Sequence, residues 1–220
     1  MSGAIGNNET GCRAVLQWND TLFLLVNAPA HPGPAVLAIA IILAESPPVF
    51  GGALLIGLWI WGMPSRRSGL LVTAAAVLVG QGINQAIGVV WFEPRPFTLG
   101  VGHTLIVHAA DNSFPSDHAT FVWTLGAGLI ATGVARHWGV VVCIYGLGVA
   151  WARVFLGVHF PDDMAASALV AIACGCLAGV AQPVVRLRVL PVVEGAYETS
   201  LRLLRLPPAL IPRRTDQPKS

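Results

Sequence analysis

A chain of 220 residues with 55% hydrophobic and 11% charged positions holds less than half the charge of a soluble domain, where roughly 25% is usual. Its mean hydropathy of +0.68 points to lipid as the solvent. A net charge of +2, with Lys219 the single lysine among 13 basic residues, excludes the basic field of a nucleic-acid binder.

The elements follow in chain order. The run TLFLLVNAPA, 21–30, comes after Asp20 rather than a basic stretch. It is too short and wrongly flanked for a secretory signal, and it fits an interfacial helix lying on the membrane. The region 35–63 is apolar but broken by Glu45, Ser46, Pro47 and Pro48, so it is one kinked span or two helices meeting at the prolines. The runs 70–92, 119–135, 138–155 and 164–185 approach the ~20 apolar residues that a membrane helix needs. The expected fold is therefore all-α: a polytopic helical membrane protein with five or six transmembrane helices and an N-terminal interfacial helix. Its parts are an N-terminal segment over 1–34, a membrane domain over 35–187 and a cytoplasmic tail over 188–220. The tail stretch YETSLRLLRL is basic and amphipathic. It lies on an anionic inner leaflet or has no fixed structure. Cys143, Cys174 and Cys176 sit inside apolar runs and Cys12 stands alone, which suits packing rather than a disulfide framework or a metal site.

Basic residues orient the spans. Arg66, Arg67, Arg136, Arg186, Arg188, Arg202, Arg205, Arg213, Arg214 and Lys219 fall on one face if the spans alternate, and that face is cytoplasmic. The segments 93–118 and 156–163 are left outside together. The helices starting near Ala119 and Asp162 then both have their N-termini at the outer surface, where unpaired N–H groups suit an anion.

Three polar stretches meet on that face: FEPRPF with Arg95, FPSDH with Ser116, Asp117 and His118, and ARVFLGVHFPDD with Arg153, His159, Asp162 and Asp163. Each residue type has a use on a phosphate. Arginine forks grip non-bridging oxygens, and serine and backbone N–H groups add neutral donors. One histidine can attack phosphorus while a carboxylate fixes its tautomer, and another can protonate the departing oxygen. Taken singly, Ser116 reads as an N-cap, Asp162 and Asp163 as helix-start acids and Arg153 as an interfacial anchor. Their convergence on one face favours the chemical reading.

FEPRPF, FPSDH and RVFLGVHFPDD resemble the three signatures of the type-2 phosphatidic acid phosphatase superfamily, which also contains vanadium haloperoxidases. INQAIGVVWFEPRPF and HTLIVHAADNSFPSDHAT resemble its bacterial undecaprenyl-diphosphatase branch. The resemblance implies that His159 is the nucleophile that becomes phosphohistidine, Asp163 orients it and His118 is the general acid. Arg95, Ser116, Asp117 and Arg153 would hold phosphate. It implies a polyprenyl diphosphate lipid as substrate, no metal and no cofactor, and an active site on the extracytoplasmic face of a bacterial plasma membrane, in recycling the carrier lipid of cell-wall synthesis. Oligomeric state is not implied.

Three positions depart from the signatures. Gly88 stands where lysine is usual, Ala152 where serine is usual and Asp117 where glycine is common. His103 and His108, in the same outer loop, either help replace the lysine or are ordinary loop histidines. Gln81, Asn84, Gln85 and Gly88 form a strip at helical spacing that lines a groove or bonds neighbouring helices. Glu45 is costly in an apolar region. It faces the pocket or merely marks the break at Pro47. Rival readings are a phosphatase for phosphatidic acid or phosphatidylglycerol phosphate, and a lipid transporter or flippase using Glu45 and the strip. A haloperoxidase is ill suited to so apolar a chain.

Overall fold

The computed structural model describes residues 18–204; Cys12, Arg205, Arg213, Arg214 and Lys219 lie outside them. Every regular element among the described residues is helical. Helix α1 covers 18–26, followed by α2 (Pro34–Glu45), α3 (Pro47–Trp61), α4 (Arg67–Val90), α5 (Asp117–Ala131), α6 (Arg136–Phe155), α7 (Pro161–Arg188) and α8 (Leu190–Leu203). Proline opens α2, α3 and α7 at the first turn, where its missing N–H costs nothing. The same chemistry separates α2 from α3. Pro47 cannot continue the ladder of α2, and the two helices bend by 56° at Ser46. The Ser46 hydroxyl is satisfied there by Ile42 O and by the Tyr145 hydroxyl at 2.7 Å.

Among the described residues, α4, α6 and α7 are long and apolar enough to cross a membrane, and α2 with α3 forms a fourth candidate as one broken span. At one end of the bundle, Leu37, Leu105 and Ile106 pack on Ala40, Ala44, Ala152 and Leu156. At the other, Trp59 meets Tyr197 and Arg67. The broken pair therefore passes the bundle once. Helix α5 has 15 residues, about 22 Å. The apolar run around it reaches Ala135, but Gly133 at φ 70° closes the helix, and Val134 and Ala135 pack in the turn.

Short as it is, α5 is the centre, with α4, α6 and α7 around it. Small residues let the backbones approach, the usual device where lipid gives helices no hydrophobic drive to associate. A Cβ on Gly126 would meet Cys143 Sγ at 2.5 Å, and one on Gly175 would meet the Ala127 Cβ at 2.6 Å. These contacts also fix direction. Gly69 lies by Val134 and Gly80 by Thr120, so α4 runs against α5; Gly175 lies by Ala127 and Gly179 by Ala131, so α7 runs with it. The N-termini of α5 and α7 thus share one end with the C-termini of α4 and α6. All three polar stretches sit there.

Two flanking helices close the bundle. The Phe23 ring of α1 is fully buried against Phe160, ring centroids 5.2 Å apart, while Leu25 is 76% exposed. Asn27, just past α1, donates to His103 O at 2.9 Å and accepts from His103 N at 2.7 Å, which pins the loop over the site. At the opposite end α8 folds back on Arg67. The buried guanidinium lies 4.9 Å from the Trp59 ring, 5.4 Å from Tyr197 and 3.5 Å from Glu194. Residues 190–203 of the expected tail therefore have a fixed place.

Candidate active site

The segment between α4 and α5 begins at Trp91, where Pro94 and Pro96 prevent further helix, and crosses the mouth of the bundle with a short 3-10 turn at Pro96–Leu99. It encloses a cavity of about 460 Å³, within the usual size for a ligand site. Arg95, Asp117, His118, Arg153 and His159 all line it, together with Asn84, Gln85, Gly88, His108, Asp111 and Asn112.

His159, 2% exposed, follows α6 in the turn before α7. Arg95 Nη1 approaches its Nε2 at 3.0 Å. Guanidinium only donates, so Nε2 carries the lone pair and Nδ1 the proton. Nδ1–H then donates to Asp163 Oδ2 at 3.0 Å. Burial, Arg153, Arg95 and His108 hold the ring's pKa well below its ordinary value, so it stays neutral. Asp163 is fully buried one turn into α7. Its Oδ2 also accepts from Ser113 Oγ at 2.6 Å and Phe160 N at 2.8 Å, and the backbone thereby aims the carboxylate. The result is an imidazole with its reactive nitrogen facing the cavity and a fixed carboxylate behind it.

Arg95 is clamped by four partners. Nε donates to Asp111 at 2.8 Å, Nη1 to Val158 O at 2.9 Å and to His159, and Nη2 to Asn112 O at 3.0 Å. Burial would raise the Asp111 carboxyl, but the Arg95 bond and charge, with His108, outweigh it and hold it low. Arg153, 1% exposed in the last turn of α6, donates from Nη1 to Glu45 Oε1 at 3.2 Å and from Nη2 to His108 Nε2 at 2.9 Å. Glu45 therefore stands at the α2–α3 break and does not itself line the cavity, but it holds an arginine that does.

Helix α5 brings the remaining residues. Ser116 is fully buried and caps the helix, accepting from Ala119 N at 3.5 Å; its side chain does not line the cavity. The Asp117 carboxylate accepts from Asn84 at 3.0 Å and Gln85 at 3.2 Å, and Gln81 donates to its carbonyl at 3.0 Å. The polar strip of α4 thus bonds α4 to α5 and lines the cavity at once. His118 projects from the first turn into the cavity. The first N–H groups of that turn have no helical acceptor, which suits an anion.

The sequence reading missed Ser113, Asn112 and Asp111. Asn112 accepts from Glu93 N at 2.7 Å and donates to Phe114 O. Its side chain fills the space over Gly88, where a Cβ would come within 2.9 Å of Asn112 Nδ2. Gly88 is small because Asn112 occupies that place. No sequence signal separates these three from ordinary polar loop residues. His103 is held through its backbone by Asn27 and does not line the cavity; His108 does.

Residues 69–184 match the PAP2 superfamily model, a stretch that begins in α4 and includes every residue lining the cavity; Glu45, which pairs with Arg153, lies outside it in α2. Over 160 residues the chain is 34% identical to YbjG of Escherichia coli (strain K12), whose undecaprenyl-diphosphatase activity is itself an assignment; the match covers 72% of this chain and 79% of that one. Over 159 residues it is 33% identical to the undecaprenyl-diphosphatase BcrC of Bacillus subtilis (strain 168), covering 72% and 81%. The crystal structure of LpxE from Aquifex aeolicus shares the fold, with a TM-score of 0.61 at 24% identity over 73% of this chain and 94% of that one. Motifs, fold and sequence agree, and the chain belongs to the PAP2 superfamily.

Proposed function

We propose that this protein is a membrane lipid phosphatase that hydrolyses undecaprenyl diphosphate to undecaprenyl phosphate and phosphate. The observation that carries the reading is the His159–Asp163 pair, with Nε2 facing a cavity lined by two arginines and two further histidines. Relatives at 33–34% identity bear the name of that activity.

The terminal phosphate enters between Arg95 and Arg153, and Arg95 Nη1–H turns from His159 to a phosphate oxygen. Nε2 attacks phosphorus; the N–P bond forms as the bond to the bridging oxygen breaks. His118 gives its proton to that oxygen, and undecaprenyl phosphate leaves. His118, now a base, takes a proton from water, which attacks the phosphohistidine. The N–P bond breaks, phosphate leaves, and His159 regains its lone pair. Asp163 holds the tautomer throughout and stabilises the positive charge on the ring. Ser116 contributes by capping α5 so that the N–H groups of Asp117 and His118 face the anion. Cationic side chains around the cavity and the N-termini of α5 and α7 do the work a metal would do, so we assign no metal or cofactor.

We place residues 35–187 in the catalytic membrane domain, 1–34 as an interfacial N-terminal segment and 188–220 as the cytoplasmic tail. Arg66, Arg67, Arg136, Arg186 and Arg188 flank the end of the bundle away from the cavity, and the positive-inside rule sets that end in the cytoplasm. The active site then faces outward, where a carrier diphosphate appears after wall precursors are exported. Phosphate release by purified protein in detergent tests the reading, across undecaprenyl diphosphate, phosphatidic acid and phosphatidylglycerol phosphate. The diphosphate should give the highest kcat/KM. A preference for either glycerolipid would replace the substrate, and no release from any of them would sink the enzyme.

A further inference from the structure

We propose that His108 is a phosphate-binding residue of this cavity, supplying the positive charge and the donor that its two arginines lack. The inference rests on the lipid-diphosphate reading but is tested by binding rather than turnover.

The first observation is charge. Arg95 carries Asp111 at 2.8 Å, Arg153 carries Glu45 at 3.2 Å, and Asp117 lines the same cavity. Two guanidinium groups thus face three carboxylates, a formal excess of negative charge where a multiply charged anion must sit. The second is donor capacity. Four of the five N–H groups of Arg95 are spent on Asp111, Val158 O, His159 and Asn112 O, leaving one. The third is that α4 adds nothing cationic. Its nearest position is Gly88, and Asn112 fills the space above it.

The missing charge must come from an imidazole. Three line the cavity: His108, His118 and His159. His159 must keep a lone pair and His118 must give up a proton, so neither holds charge through the reaction. His108 has no such duty. It is mostly buried, its Nε2 is 2.9 Å from Arg153 Nη2, and its ring centroid is 6.4 Å from that of His159, edge-on. Because Arg153 only donates, Nε2 carries a lone pair in this state, and Nδ1–H points to Ala109 O at 3.1 Å.

An anion reverses the arrangement. Arg153 Nη2–H turns to a phosphate oxygen and releases His108 Nε2. The groups facing His108 are Arg95 and Asp111 from its own loop, Arg153 of α6 with Glu45 of α2 behind it, His118 of α5 and His159 of the α6–α7 turn. Burial and the two arginines keep the ring neutral in the empty cavity. A bound dianion cancels the arginines' field. Nε2 then takes one proton from solvent and donates it, as a charge-assisted bond, to the phosphate.

The test is calorimetric titration of the full-length protein in detergent with inorganic phosphate at pH 8, in two buffers of different ionisation enthalpy. Wild type should take up about one proton more on binding than a protein without His108. His108→Phe should lose that uptake and bind about ten- to a hundredfold more weakly, the scale of one lost charge-assisted bond. His108→Gln, which keeps a neutral donor, should lose the uptake but fall less in affinity; it also serves if the Phe variant does not fold. Phosphate affinity within twofold of wild type, or proton uptake undiminished without His108, overturns the proposal even if lipid turnover stands. His108-dependent phosphate binding in a protein that releases no phosphate from any lipid would sink the reaction and leave this site.

Discussion

Replacing Asp163 by asparagine separates two things the carboxylate does. It supplies charge, and it selects the tautomer of His159. Asparagine can present either oxygen or NH₂ to the ring. If NH₂ faced Nδ1, the ring proton would move to Nε2 and the nucleophile would be lost, a change that costs about 10⁴-fold in the analogous serine-protease arrangement. The structure decides against this. The position facing His159 also receives Phe160 N–H at 2.8 Å and Ser113 Oγ–H at 2.6 Å, and an amide NH₂ there would oppose a fixed backbone donor. Oxygen therefore stays inward, and the NH₂ takes the place of Oδ1, which is buried without a partner. What remains is the exchange of a charged acceptor for a neutral one, about 1.5–3 kcal/mol, or about 10- to 150-fold in rate. Single-turnover phosphate release and trapped phosphoenzyme measure it. Asp163→Asn should still form phosphoenzyme slowly, whereas Asp163→Ala, which strands three donors, should be far slower. An asparagine variant as dead as His159→Ala would refute the tautomer argument, and one as active as wild type would refute any orienting role.

Other outcomes follow from the same geometry. His159→Ala should abolish turnover and phosphoenzyme; His118→Ala should slow turnover by about 10²–10⁴-fold and lose less on a substrate whose leaving group needs no proton. Burial, with Asp162 and Asp163 nearby, raises the Glu93 carboxyl to about 7 from an ordinary 4.5. Between those values the folded state keeps a proton that the unfolded state releases, so stability falls as pH rises through the window. Glu93→Gln should therefore raise Tm in detergent more at pH 8 than at pH 4.5, and an equal gain at both would mean the carboxylate is not penalised. Activity should survive chelator and be inhibited by vanadate; loss in chelator restored by magnesium would assign a cation to the acidic residues. In intact cells of a strain whose protein lacks the native cysteines, a cysteine at Asn112 should react with a membrane-impermeant reagent and one at Arg66 should not. The reverse pattern would put the active site inside.

The sequence by itself determined the solvent, the helices and which polar groups gather at one end. Low charge and long apolar runs leave no other fold class, because a backbone in lipid must satisfy its polar groups within each segment. The parity of the spans gathered Arg95, His118, Arg153 and His159 at one end before any coordinates, since a chain that alternates across a bundle returns its odd-numbered connections to the same face. Parity says nothing about which way a side chain points. Ser116 and Asp117 are neighbours, yet one is a buried cap and the other lines the cavity and ties α4 to α5. Glu45 reaches Arg153 across 108 positions, and Ser113 reaches Asp163 across 50. Such bonds depend on helix rotation and on how closely glycines such as Gly126 and Gly175 let backbones pack, and no local pattern encodes them. The empty place at Gly88 looked like a missing cation in the sequence. Only the packed structure shows that Asn112 fills it and that His108 lies across the cavity on Arg153, because a side chain's neighbours are set by the loop that returns over it, not by its own position in the chain.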